Sequence, residues 1–161
     1  MSEIIYKPIG IIHSPFNGST MAPIQPKAAI EIEGTVEVFS EYVSGLKDVE
    51  GFSHVILLYH FHLVKGVNLE VKPFLDEEFH GVFATRAPAR PNSIGISVVC
   101  LQRVDGGILH VSGVDVIDGT PLLDIKPYVP EFDIYEVDRT GWLEKSVWKL
   151  LGARDDCRFI K

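Results

Sequence analysis

Along most of the chain, apolar and polar residues alternate in short runs punctuated by Pro, Gly, Asn and Asp, and sustained helical spacing is rare. Ala29–Val38 (AIEIEGTVEV) alternates with period two, which sets one face of a strand against a core and the other in water. Tyr6–Ser14 (YKPIGIIHS) reads as a first strand, and Ser53–Val64 (SHVILLYHFHLV), the most apolar run, as a central one. Gly81–Ala84 and Gly95–Leu101 read as strands flanking a Pro-rich segment. Ile108–Val116 is another strand, entered through a hairpin-type turn at Asp105–Gly107. Pro15–Pro26, with three prolines and a glycine, is a loop. Glu41–Leu46 reads as a short helix with Ser40 as its N-cap. Gly141–Leu151 places Leu143, Val147, Leu150 and Leu151 at helical spacing, with Thr140 able to cap the start and Gly152 to end it. The pattern predicts a mainly-β domain with a few short helices, one of them near the C-terminus.

The 161 residues fit one domain, and a 46% hydrophobic content is enough for a packed core. No apolar run approaches the length of a bilayer span, and the start, MSEIIYKP, lacks the layout of a secretory signal. Cys100 and Cys157 have no spacing that suggests pairing, and no Cys/His cluster has metal-ligand spacing. These features read as a soluble, reduced, intracellular protein that needs no metal and no membrane. The formal net charge of −7 argues against a protein that coats nucleic acid non-specifically. It leaves room for a local basic site: Arg86 and Arg90 sit in a stretch without an acid from Gly81 to Gln102. Neither G-x-G-x-x-G nor G-x-x-x-x-G-K-[ST] is present, so Rossmann and P-loop modes of nucleotide binding are not supported.

Two segments combine rigid backbone with polar chemistry. In Thr85–Ser97 (TRAPARPNSIGIS), Pro88 and Pro91 restrain the residues before them toward extended geometry, so little entropy remains to be lost on binding. Arg86 and Arg90 offer planar donor forks for carboxylate or phosphate, and Asn92 offers the donor–acceptor pair that matches an adenine edge. The competing reading is a rigid surface turn with solvated arginines. In Asp115–Pro130 (DVIDGTPLLDIKPYVP), Asp118-Gly119 is a turn signal, and Asp118 could accept two ribose hydroxyls. Asp124, Lys126 and Tyr128 share one face of an extended segment, either as a functional row or as an exposed face with a weak ion pair. His60 and His62 share a face of the central strand, where a core or cleft-lining role outweighs metal ligation. Asp76–Glu78 is most simply a solvated acidic turn before His80, and Trp142 and Trp148 read as packing residues of the C-terminal helix.

Together, TRAPARPNSIGIS and DGTPLLDIKPYVP resemble the TsaA-like family, typified by the TrmO tRNA methyltransferases. The similarity extends to IGIIHSPF and APIQP in the early strand and loop, to GFSHVILLYHFH and to GVFATR, covering roughly Tyr6 to Tyr135. The resemblance implies a small β-barrel of largely antiparallel strands that binds S-adenosylmethionine without a Rossmann fold, and it implies a homodimer. The whole of 1–161 then forms one TsaA-like domain, with a core of about 6–135 and a C-terminal helix and tail at 139–161. The cofactor-binding positions it implies are Pro23, Ile24 and Gln25; His60 and Phe61; Arg86 and Ile96; and Asp118, Gly119, Thr120 and Pro121. Ser93 stands where many members carry Pro, and the additional C-terminal domain of longer bacterial members is not found here.

The activity implied is methyl transfer to N6 of N6-threonylcarbamoyladenosine beside the anticodon of a threonine tRNA, in the cytoplasm. The acceptor nitrogen must lose a proton, which a carboxylate, a tyrosinate or water could take; Asp124 and Tyr128 are the side-chain candidates. The threonyl carboxylate needs a cation from Arg86, Arg90 or Lys126, with Arg90 preferred because Arg86 is assigned to the cofactor. Arg90, Asn92 and Lys126 are therefore the candidate substrate contacts. The alternatives are a methyltransferase of the same fold acting on another RNA or small molecule, and a non-catalytic S-adenosylmethionine-binding protein.

Overall fold

The computed structural model describes residues 2–18 and 22–159. Residues 19–21 of the predicted early loop lie outside the described residues.

Among the described residues, eight strands follow one another: β1 (Gly10–His13), β2 (Glu33–Val38), β3 (His54–His60), β4 (Glu70–Val71), β5 (His80–Gly81), β6 (Ile94–Asp105), β7 (Ile108–Ser112) and β8 (Thr120–Pro127). Six of them close into a barrel in the order β1-β2-β7-β6-β3-β8, and every pairing is antiparallel. The remaining two, β4 and β5, form a small separate ribbon. The fold is mainly sheet, with a few short helical turns. Period-two alternation selects the inward residues: Ile12, Val36, Leu57, Val99, Leu109, Val111 and Leu122 are all at most 1% exposed and fill the barrel. The central position expected for the strand after Ser53 is observed, with β3 lying between β6 and β8.

A register shift in the β3–β8 pairing explains the unusual composition of β8. Leu58 pairs with Asp124 but Tyr59 with Leu122, so Leu123 is an extra residue on β8. Leu122 before the bulge and Ile125 after it both pack on the core. Asp124 and Lys126 are thereby turned outward together, and their side chains pair at 2.7 Å.

Several predicted boundaries are shorter in the structure. The first strand begins only at Gly10, because Pro8 has no N–H for the ladder and the residues before it are exposed. The second begins at Glu33, since Ile32 N–H turns back to the Ala29 carbonyl. Gly81–Ala84 is not a strand: past β5, Val82–Ala84 is a 3-10 turn that Thr85 closes through its N–H and Oγ1 on the Val82 carbonyl. Glu41–Leu46 belongs to a 3-10 helix, Ser40–Leu46, which Ser40 opens from the inside and does not cap. The predicted C-terminal helix is two 3-10 helices, Gly141–Lys145 and Val147–Gly152, separated at the buried Ser146; Thr140 makes no side-chain cap. The hairpin turn holds, with Gly106 at φ +59° joining β6 to β7.

Candidate functional site

A cleft of about 670 Å³ opens at one end of the barrel, where β3 finishes and β6 and β8 begin. Its floor is set by cross-strand packing. Tyr59 of β3 lies opposite Gly95 of β6, and a Cβ at Gly95 would fall 2.2 Å from the tyrosine ring and 2.9 Å from Phe61. Only glycine lets that ring lie flat on the strand. The Tyr59 hydroxyl reaches Ser97 Oγ at 3.0 Å, and Ser97 Oγ donates to Asp115 Oδ1 at 2.6 Å. Because the serine proton goes to the carboxylate, the tyrosine proton points at the serine, and the chain of donors runs toward Asp115.

Burial pushes the Asp115 carboxyl up to about 7, against the opposing pull of the Ser97 hydrogen bond, its own backbone N–H and the Arg86 charge. Burial likewise raises Tyr59, and the neighbouring Asp115 adds to the rise. His62, in the cleft wall, is lowered by desolvation and by His60.

The walls come from loops. Pro23, Ile24 and Gln25 of the early loop face Arg86 of the Pro-rich segment, and Arg86 Nη1 donates to Gln25 Oε1 at 3.0 Å. Phe61, Ile96 and Thr120 also line the cleft; Thr120 is buried, with its hydroxyl bound to the Ile117 carbonyl at 2.6 Å. Arg90 lines it too, with Nη1 tied to the carbonyls of Thr85 and Ala87, both at 3.1 Å. The arginine thus staples the segment that presents Arg86. A further wall comes from the C-terminal segment through Trp142, Leu143, Val147, Leu150 and Phe159. Trp142 is fixed by its indole N–H on the Ala84 carbonyl (2.8 Å) and by stacking on His80 at 4.6 Å between ring centres. His80 is itself held by Asp76 at 2.8 Å, so the acidic turn has a positioning role. Trp148 does not pack as the sequence suggests; it is 75% exposed because the broken helix turns it outward.

The structure therefore gathers Pro23, Ile24, Gln25, Phe61, Arg86, Ile96, Thr120 and Arg90 around one cleft, and it leaves other candidates outside the lining. His60 is an exposed residue ending β3. Asp118 is exposed and accepts from Ser14 N–H at 3.0 Å, with His13 Nδ1 3.4 Å away. Gly119 beside it takes φ +80°, the turn conformation expected of DG. Pro121 adjoins the lining residue Thr120, and Asn92 lies in the chain between the lining residues Arg90 and Ile94; neither lines the cleft itself. Asp124 is paired with Lys126 on the outer face of β8, and Tyr128 packs edge-on against His54. Asp115, Ser97 and Tyr59 were not among the candidates. The available signal was an acid between Val114 and Val116 in an otherwise apolar run. Among the described residues, no group of three or more His, Cys, Asp or Glu could hold a metal ion, and no helix is long and apolar enough to cross a membrane.

A closed antiparallel barrel with a loop-walled cleft at one end defines a class of small binding barrels, and comparison with known proteins narrows it. The sequence model of the tRNA-methyltransferase O N-terminal domain matches residues 11–134, and the chain belongs to this family. A probable S-adenosyl-L-methionine-binding protein of Pyrococcus abyssi is 65% identical over 157 residues, covering 98% of this chain and 85% of that one. The tRNA (adenine(37)-N6)-methyltransferase of Mus musculus is 40% identical over 140 residues; the match covers 81% of this chain but only 32% of the mouse protein. A crystal structure of TrmO from Pseudomonas aeruginosa superposes with a TM-score of 0.74 at 40% identity, covering 89% of this chain and 63% of that one.

Proposed function

We propose that the chain is an S-adenosylmethionine-dependent methyltransferase acting on N6 of a modified adenosine in tRNA, with N6-threonylcarbamoyladenosine beside the anticodon of a threonine tRNA as the favoured substrate. The observation that carries this reading is the convergence of Pro23–Gln25, Phe61, Arg86, Ile96 and Thr120, from separate stretches of sequence, on one cleft. A volume of about 670 Å³ is in the range for a small organic ligand. The residues present fit the cofactor: apolar walls suit a nucleoside, and the Arg86 guanidinium suits the carboxylate of its amino-acid part. The names of the Pyrococcus and mouse relatives support the cofactor and the reaction class.

When bound, S-adenosylmethionine supplies a methyl group made electrophilic by its sulfonium. The protein's work is then positional. Arg86, braced by Gln25, serves a carboxylate; His60, Asp118, Gly119 and Pro121 flank the lining residues and complete the proposed cofactor set. Arg90 faces the threonyl carboxylate with the donors not spent on its own loop, and Asn92 and Lys126 extend the substrate side. Water takes the proton that the acceptor nitrogen loses. Asp124 and Tyr128 are the side-chain alternative, and Asp124→Asn and Tyr128→Phe with an unchanged rate would remove them. A homodimer is supported by the exposed apolar row Phe132, Ile134, Tyr135 and Val137, and light scattering would detect it. The tRNA substrate implies a cytoplasmic setting.

The test is methyl incorporation into two threonine tRNAs, one with and one without the threonylcarbamoyl group. Transfer only to the modified tRNA supports the proposal. Equal transfer to both contradicts the substrate. Cofactor binding without transfer to either favours a non-catalytic binding protein.

A further inference from the structure

We infer that Asp115 is the residue by which the cleft distinguishes a cationic ligand from its neutral counterpart, pairing its carboxylate with the sulfonium charge of S-adenosylmethionine; this rests on the cofactor reading above.

The geometry supports an anion here. The carboxyl lines the cleft, and two hydroxyls in series, Tyr59 and Ser97, direct their protons toward Oδ1. Such a chain favours the charged form of the acid. Its surroundings oppose it. Ile96, Val116 and Ile117 line the same region, and burial is the dominant influence on the group. The ionisable groups sharing the cleft are Tyr59 from β3, His62 beyond it, Arg86 and Arg90 from the Pro-rich segment, and Asp155 from the C-terminal segment. Of these, only Arg86 acts on Asp115 as a cation, and Arg86 is exposed and engaged with Gln25. The carboxylate is therefore supplied with donors but short of a counter-charge, which a cation in the cleft would provide. The methylated cofactor carries that extra positive charge on sulfur, whereas the demethylated product, S-adenosylhomocysteine, keeps the same carboxylate and ammonium but has a neutral thioether. An anion that senses the difference holds the donor and releases the product.

The experiment is calorimetric titration of the wild-type chain and of Asp115→Asn with S-adenosylmethionine and S-adenosylhomocysteine. The expected result is a loss of about tenfold or more in affinity for S-adenosylmethionine and less than about threefold for S-adenosylhomocysteine. Equal losses would assign Asp115 to the shared amino-acid moiety, and no loss would remove it from the site; either overturns the inference while leaving the cofactor reading intact. Binding of neither ligand to the wild type overturns both. Should the variant not fold, the wild type alone decides. Near pH 6, in buffers of different ionisation enthalpy, S-adenosylmethionine should release close to one proton per molecule bound and S-adenosylhomocysteine almost none. Equal proton release by the two contradicts the inference.

Discussion

Ser97, the last residue of the first Pro-rich motif, donates its hydroxyl proton across 2.6 Å to Asp115, the first residue of the second. The two motifs therefore meet through one hydrogen bond on the floor of the cleft. Burial pushes the Asp115 carboxyl up to about 7 in the folded protein, from an ordinary 3.8. Between about pH 4 and pH 7 the folded state holds a proton that the unfolded state has released, so stability falls as pH rises through that window and levels off above it. The span is on the order of a few kcal/mol. Asp115→Asn should abolish this dependence, so that the variant gains stability relative to wild type on going from acidic to mildly alkaline buffer. Denaturant melts at the two pH values test this, and parallel pH profiles would show that the carboxyl is not buried as described.

Gly95→Ala is the smallest change that should disturb the site. Its Cβ would meet the Tyr59 ring at 2.2 Å and Phe61 at 2.9 Å, and neither ring can move without disturbing the barrel end. Overpacking of this kind costs about 1–3 kcal/mol. The expected outcome is a lowered melting temperature together with weaker ligand binding, because displacing Tyr59 breaks its bond to Ser97. A melting temperature and affinity equal to wild type would mean that the strand absorbs the methyl group without consequence.

Trp142 holds the C-terminal wall to the rest of the cleft through His80 and the Ala84 carbonyl. Trp142→Ala should free that segment locally, while Trp148→Ala, at a residue 75% exposed, should not. Limited trypsin digestion reads the difference: faster cleavage at Lys145, Lys149 and Arg154 is expected in the first variant only. Identical cleavage of both would show that the stack does not secure the segment.

The barrel strands were legible because each inward residue alternates with an outward one, and Val36, Leu57 and Val99 follow that rule. The strand ends were not, since Pro8 acts by lacking an N–H and Thr85 by two hydrogen bonds to the Val82 carbonyl, neither of which alternation registers. Helical spacing at Leu143, Val147 and Leu150 marked apolar residues facing the cleft, yet the backbone there is two 3-10 helices broken at Ser146. Around the site, Arg86 and Gln25 could be named from their motifs, but their mutual contact spans 61 positions and only the fold brings it about. Asp124 and Tyr128 drew attention by chemistry, and the bulge at Leu123 turns Asp124 away from the cleft. Asp115 is not legible as a site residue, because an acid in an apolar run gives no hint of which serine the fold sets beside it.

An S-adenosylmethionine site in the cleft is directly measurable. Isothermal titration of EDTA-treated protein with S-adenosylmethionine should give saturable binding, and Arg86→Ala should weaken it by about 1.5–3 kcal/mol, the range for a hydrogen bond to a charged group. No saturable heat, heat that appears only when a divalent metal is restored, or an unchanged affinity in folded Arg86→Ala would contradict it.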